Sequence, residues 1–371
     1  MKLSAYYKQQ NCIVELKQNY DDLRYYDKVF ISKVFSSTIV PENILAMHHV
    51  EYGGTGFDYE KTSALPDEIE HIKPDYHLYD EWVNKQINLG EPPKSFAYYT
   101  DYSIGFLTRG CFRRCPYCIN RNSSHSKNHS QLHEFLDESR PKICFLDDNF
   151  LACENWKRII EEVKMTRKRF EFKQGLDVRL LNVEIINEIF SWKYDDYYFF
   201  AFDDIADSEI IENALIEIHR TKTKKTKRLK FYVLCAYDRQ GKWDSEFWIN
   251  DIRNTFERCI VLAKYGALPY IMRYEKYRES PYKQIYIALA SWVNQPYIFK
   301  KIPFRTFCMM RGMSNENRKI YGSNYKKYLL DGNIKYSIWQ VMESLAKEYP
   351  EFAERYYDIV MDDIDLSKEA A

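Results

Sequence analysis

The chain has 371 residues, enough for one large α/β domain with a smaller companion and a sizeable core. Its 54 basic and 54 acidic residues cancel, so no net field draws it to nucleic acid or to a membrane surface. The composition is 45% hydrophobic with no apolar run near the length of a membrane span, and the opening MKLSAYYKQQNCIVEL lacks the basic-then-apolar layout of a secretory signal.

The first hundred residues suggest a small α/β module. A helix-like opening precedes a strand within Asp27–Ser37, a glycine turn at Glu51–Phe57 and a polar stretch over Leu65–Asp80. The stretch LGEPPKS, within 86–97, reads as a connector. From there short aliphatic and aromatic runs recur, with helical patterns filling most of the gaps. The strand-like runs are Ser103–Thr108, Pro141–Leu146, Phe170–Lys173, Tyr197–Phe202, Leu229–Cys235 and Leu268–Met272. Between them Trp156, Ile159, Ile160 and Val163 share one helical face. Ile210, Ile211, Ala214, Leu215 and Ile218 share another, with Ser208 placed as its N-cap. A third face carries Ile252, Phe256, Ile260 and Ala263, and Gly266 stands where a C-cap belongs. Six βα units in succession imply a parallel sheet, open or curled toward a barrel, with ligands at the carboxyl ends of its strands. Beyond Asn294 the period changes, and Tyr325–Asp363 reads as a polar helical cap. The expected division is 1–95, 96–300 and 301–371.

Nine cysteines is an odd number and six stand alone, which argues for a reducing cytoplasm rather than a disulfide framework. The other three, Cys111, Cys115 and Cys118, fall within GFLTRGCFRRCPYCINRN, immediately after the first strand of the series. A structural zinc site normally takes four ligands, often as two pairs, and no second C-x2-C exists; Cys144 or Cys153 could serve only as an unpartnered distant fourth. Three thiolates can instead hold a cubane iron–sulfur cluster and leave one iron open to a substrate or cofactor. Arg109, Arg113, Arg114 and Arg121 would partly offset its negative charge.

The spacing Cys111-x3-Cys115-x2-Cys118, with Tyr117 before the last cysteine, resembles the motif of the radical S-adenosylmethionine (radical SAM) superfamily, over about residues 96–300. The resemblance implies a partial (β/α)6 TIM-like barrel, here with a small N-terminal Rossmann-like module and a helical C-terminal extension. It implies a [4Fe-4S] cluster whose open iron binds the amino and carboxylate groups of S-adenosylmethionine. Reductive cleavage would yield methionine and a 5′-deoxyadenosyl radical that takes hydrogen from a substrate, and an electron donor such as a flavodoxin or ferredoxin would be a partner.

In that superfamily the turn after the second strand usually carries a Gly-Gly-Glu-like sequence that binds the methionine amine. The equivalent stretch here is FLDDNF, so Asp147, Asp148 and Asn149 take its place as acceptors, or form a helix-starting turn. After the third strand Gln174, Asp177 and Arg179 suit ribose hydroxyls and a carboxylate, with Gly175 permitting an unusual backbone; the alternative is an Asp177–Arg179 turn network. Asp203 and Asp204 end the fourth strand, and Arg273 and Glu275 follow the sixth.

One branch of the superfamily carries a cobalamin-binding-like N-terminal domain, and KVFISKVFSS…YGGTGF…LP resembles its later strands. The Asp-x-His-x-x-Gly sequence that supplies a cobalt ligand is missing, so cobalamin is not expected. Gly53, Gly54 and Gly56 do not complete a dinucleotide fingerprint either. A non-catalytic iron–sulfur or zinc protein associated with RNA is the alternative, and only the basic run His219–Lys230 speaks for nucleic acid. No motif names a substrate.

Overall fold

The computed structural model describes residues 1–57, 65–118, 120, 123–221, 228–312, 320 and 337–368. Near the N-terminus β1 (Val29–Ser32) and β2 (Val50–Gly53) pair in parallel as a two-stranded sheet. The chain then forms β3 (Tyr102–Gly105), β4 (Thr108–Arg109), β5 (Lys127–Asn128) and β6 (Lys142–Phe145). It continues through β7 (Arg169–Phe172), β8 (Tyr198–Ala201), β9 (Leu229–Cys235) and β10 (Leu268–Arg273). Each of the six expected strand runs contains a strand of the series, though Ser103–Thr108 breaks at Phe106 and Leu107, between β3 and β4. These strands make two parallel sheets, ordered β3-β6-β7 and β8-β9-β10, while β4 and β5 form a short antiparallel ladder.

Neither sheet closes into a barrel. The seam between them is spanned by a parallel bridge from Phe170 to Tyr194 and by the Leu176 amide, which donates to the Phe199 carbonyl at 2.8 Å. β9 shows how the sheet is covered. Leu229, Phe231, Val233 and Cys235 are buried on one face, and Lys230, Tyr232 and Leu234 alternate with them on the half-buried other.

Most crossovers are helical, and their apolar stripes pack as the 3.6-residue period requires. In Trp156–Met165 the four expected residues are all buried. In Ser208–Arg220, Ile211, Ala214, Leu215 and Ile218 are buried but Ile210 is exposed, because it falls outside the width of the stripe. Ser208 is not the N-cap: it is already helical, and its hydroxyl donates backward to the Ile205 carbonyl at 2.6 Å. The long helix Ser245–Lys264 buries Ile252, Phe256 and Ala263, leaves Ile260 half-buried and ends just before Gly266. The first crossover departs from the expected βα pattern. Between β3 and β6 the described residues form the cysteine loop, the β4–β5 ladder and a 3-10 turn at Leu132–Glu134, with no α-helix.

The N-terminal segment joins the sheet through Tyr76, whose hydroxyl donates to the Phe135 carbonyl at 2.7 Å and accepts from the Ile104 amide at 2.8 Å. The C-terminal segment contributes to the main core. Phe256 stacks on Tyr356 with ring centroids 5.1 Å apart, and Phe304, Phe352 and Tyr357 surround it. Of the expected helical stretch Tyr325–Asp363, residues 337–348 are helical, 353–357 and 361–364 form short turns, and 325–336 lie outside the described residues. Half of the basic run His219–Lys230, residues 222–227, and also Arg121 lie outside them too. No helix among the described residues is long and apolar enough to cross a membrane.

One buried cation ties the second sheet together at its carboxyl end. Arg258, 2% exposed, donates through one guanidinium nitrogen to the carbonyls of Phe202 (2.9 Å), Asp203 (2.8 Å) and Leu234 (2.9 Å). Arg258→Met keeps the apolar stem but strands three carbonyls, so a loss of about 3 kcal/mol is expected in urea unfolding.

Candidate functional site

The cysteine loop begins where β3 ends and is gathered at its base by the β4–β5 ladder, in which Thr108 faces Asn128 and Arg109 faces Lys127. Gly110 opens the loop at φ +96°, and a Cβ there would lie 2.3 Å from Ser123 Oγ and 2.4 Å from the His125 carbonyl oxygen. The two halves of the loop therefore approach more closely than any side chain at this position allows.

Two adjacent carboxylates after β6 hold this loop. Asp147 is fully buried and accepts from the Leu107 amide (3.1 Å), the Thr108 amide (2.6 Å) and the Thr108 hydroxyl (2.7 Å). Asp148 accepts from the Gly110 amide at 2.7 Å and from Asn120 Nδ2 at 2.5 Å, so it grips the chain on both sides of the three cysteines. Asn149, also buried, donates to Cys111 Sγ at 3.4 Å and to Asp177 Oδ2 at 3.2 Å. Its side-chain oxygen, Oδ1, is buried without any hydrogen-bond partner.

The turns after β7 and β8 converge on the same place. Gly175 takes φ +85°, and a Cβ there would lie 2.8 Å from the Phe199 carbonyl oxygen. Asp177 accepts from Arg113 Nε of the cysteine loop and from Arg179 Nε, each at 2.8 Å. Burial alone would raise the Asp177 pKa, but Arg179 and then Arg113 outweigh it and hold the carboxyl below its ordinary value. Arg179 also reaches Asp207 at 3.3 Å. Tyr117, inside the cysteine motif, donates to Asp203 Oδ2 at 2.8 Å, and the Leu234 amide donates to the other Asp203 oxygen at 2.9 Å. Burial pushes the Asp203 carboxyl up despite these bonds.

Of the residues expected from sequence, Asp147, Asp148, Asn149, Asp177, Arg179 and Asp203 are thus connected to the cysteine loop directly or through one another. Gln174 is exposed beside this network and takes no part in it. Asp204 instead accepts from the Ala206 amide and pairs with Arg239 at 2.8 Å. Arg273 and Glu275 are exposed and also outside the network. The arginines expected to flank the cysteines are distributed differently: Arg113 is committed to Asp177, Arg109 stacks 3.3 Å from the centroid of Phe106, and Arg114 donates to the Ser123 carbonyl. Sequence reasoning missed Arg258 and the Tyr117–Asp203 bond. The signal for Arg258 was a charge on the apolar face of its helix, between Thr255 and Leu262; nothing local pairs Tyr117 with a residue 86 positions away.

Cys111, Cys115 and Cys118 are all half-exposed. Burial, opposed by the Asn120 amide and reinforced by Cys115 and Cys111, raises the Cys118 thiol above its ordinary value, so the three sulfurs feel one another. Among the described residues no three His, Cys, Asp or Glu side chains are gathered as a metal site. The donor chemistry nonetheless suits an iron–sulfur cluster: three accessible thiols on one eight-residue turn, flanked by a buried oxygen lacking a donor.

Burial, partly countered by the Thr108 and Leu107 bonds, raises the Asp147 pKa from 3.8 to about 6. The protonated form is therefore favoured on folding: its contribution to stability is full below pH 3.8 and is lost as pH rises through about 6. A carboxyl carbon titration by NMR should show Asp147 with a midpoint near 6. Asp148→Ala should speed hydrogen exchange at the Gly110 and Cys111 amides at least about tenfold while moving Tm by only a few degrees, since the loop opens without the core. No family model matches the chain, and no curated protein or solved structure matches it.

Proposed function

We propose that the protein is a radical S-adenosylmethionine enzyme. The observation that carries this reading is the tethering of the C-x3-C-x2-C loop across the carboxyl ends of three successive parallel strands. Cys111 meets Asn149 after β6, Arg113 meets Asp177 after β7, and Tyr117 meets Asp203 after β8. Ligands of parallel α/β sheets bind at that end. In this reading the two sheets are one open, partial (β/α)6 barrel of radical SAM type, and the N-terminal strands a reduced Rossmann-like module.

Cys111, Cys115 and Cys118 would hold a [4Fe-4S] cluster with one iron left to S-adenosylmethionine. When bound and reduced, this group supplies one-electron cleavage of S-adenosylmethionine to methionine and a 5′-deoxyadenosyl radical. The chain's own residues orient and enclose. Asp147 and Asp148 fix the loop that presents the thiols. Asn149 Oδ1, buried beside Cys111 and lacking a donor, suits an incoming ammonium. Asp177, kept ionised by two arginines, suits ribose hydroxyls, while Arg179 can turn toward a carboxylate. Gln174, exposed at the mouth, can reach the same nucleoside, and Asp203 with Tyr117 forms the far wall.

Anaerobic reconstitution should load about four irons per chain, the content of the cubane cluster. Cys115→Ala should lose most of that iron. With a strong reductant the loaded protein should form 5′-deoxyadenosine from S-adenosylmethionine. Zinc without iron in fresh protein, iron content unchanged in the variant, or an intact cluster that never yields deoxyadenosine would each overturn the assignment.

A further inference from the structure

A second feature at the carboxyl end of the sheet belongs to none of this. Beside the edge strand β10, the helices Lys283–Val293 and Phe304–Gly312 and the turn Asn294–Gln295 that follows the first of them border a shallow groove of about 540 Å³. Its neutral polar side chains already have backbone partners. Asn294 donates to and accepts from the backbone of Ile271, Ser291 donates to the Ile287 carbonyl, and Gln295 donates to the Ser291 carbonyl. Two guanidiniums remain, Arg273 from the end of β10 and Arg311 from the last turn of its helix.

Neither pairs with a carboxylate among the described residues, whereas Arg113, Arg179, Arg253, Arg305 and Arg355 all do. Each is braced by an aromatic ring instead: Arg273 lies 4.5 Å from the centroid of Tyr277, and Arg311 lies 5.8 Å from that of Phe307. Two cations brought from separate elements to one groove repel unless an anion lies between them. Braced arginine forks present several donors in a plane, which is the geometry that recognises phosphate.

We infer that this groove binds the phosphate group of a small-molecule ligand, with Arg273 and Arg311 as its two clamps. Its volume accommodates more than the anion alone, so the rest of such a ligand can extend over β10 toward the strand ends.

The test titrates the purified full-length chain with inorganic pyrophosphate by calorimetry, at ionic strength held constant with potassium chloride, and repeats it with succinate. Saturable pyrophosphate binding is expected, weakened about tenfold or more in Arg273→Ala and in Arg311→Ala and partly recovered in the lysine variants. Unchanged Tm in the alanine variants, whose side chains are exposed, would separate lost binding from lost fold. Succinate binding more tightly than pyrophosphate would overturn the phosphate assignment. Absence of saturable binding, or binding that persists in the double alanine variant, would overturn the site. The measurement needs no cluster, so its failure leaves the reading of the cysteine loop untouched.

Discussion

The candidate site depends on a pair of adjacent carboxylates with opposite tasks. Asp147 points into the sheet and fixes the backbone of Leu107 and Thr108, where β3 passes into the β4–β5 ladder. Asp148 points outward and grips the loop at Gly110 and Asn120. Successive residues at the end of an extended strand face opposite sides, so two neighbouring aspartates can clamp the root and the rim of one loop. Burying Asp147 carries a desolvation cost, visible in its raised pKa, and its three hydrogen bonds partly offset it. Such spending on a loop that adds little to the core makes sense if its three cysteines must be held in place.

From that clamp the network spreads sideways along the strand ends. Asn149 couples the loop to Asp177, Asp177 couples two arginines, and Tyr117 reaches over to Asp203. Arg258 lies beneath, collecting carbonyls from the segments that carry Asp203 and Leu234. A charge this deep is tolerated because each nitrogen finds an acceptor. It holds the carboxyl ends of β8 and β9 together, which in turn places Asp203 against the loop.

Among the described residues, the loop is also where the alternation of strand and helix fails. The chain between β3 and β6 is given over to the cysteines, a two-residue ladder and a 3-10 turn. Six βα units in succession implied a helix here too, but glycine, proline, serine and asparagine crowd this stretch and supply no apolar stripe to bury. The edge strand β10 is finished differently. Asn294 bonds the free backbone of Ile271 with its side-chain amide, covering an edge that an open sheet leaves exposed.

The sequence by itself determined the strands, the main helices and the position of the cysteines. Period and composition are local, and a buried strand such as Leu229–Cys235 announces itself in seven residues. It also marked most of the polar residues of the site, because strand ends are recognisable. It could not say which of them would be struts and which would be left with capacity for a ligand. Asp147 and Asn149 lie two positions apart in one motif, yet the first is saturated by the protein and the second keeps a buried oxygen without a donor. That distinction belongs to the tertiary structure alone. Hydrogen-bond partners such as Tyr117 and Asp203, 86 residues apart in the chain, meet only when the cysteine loop is folded over the strand ends.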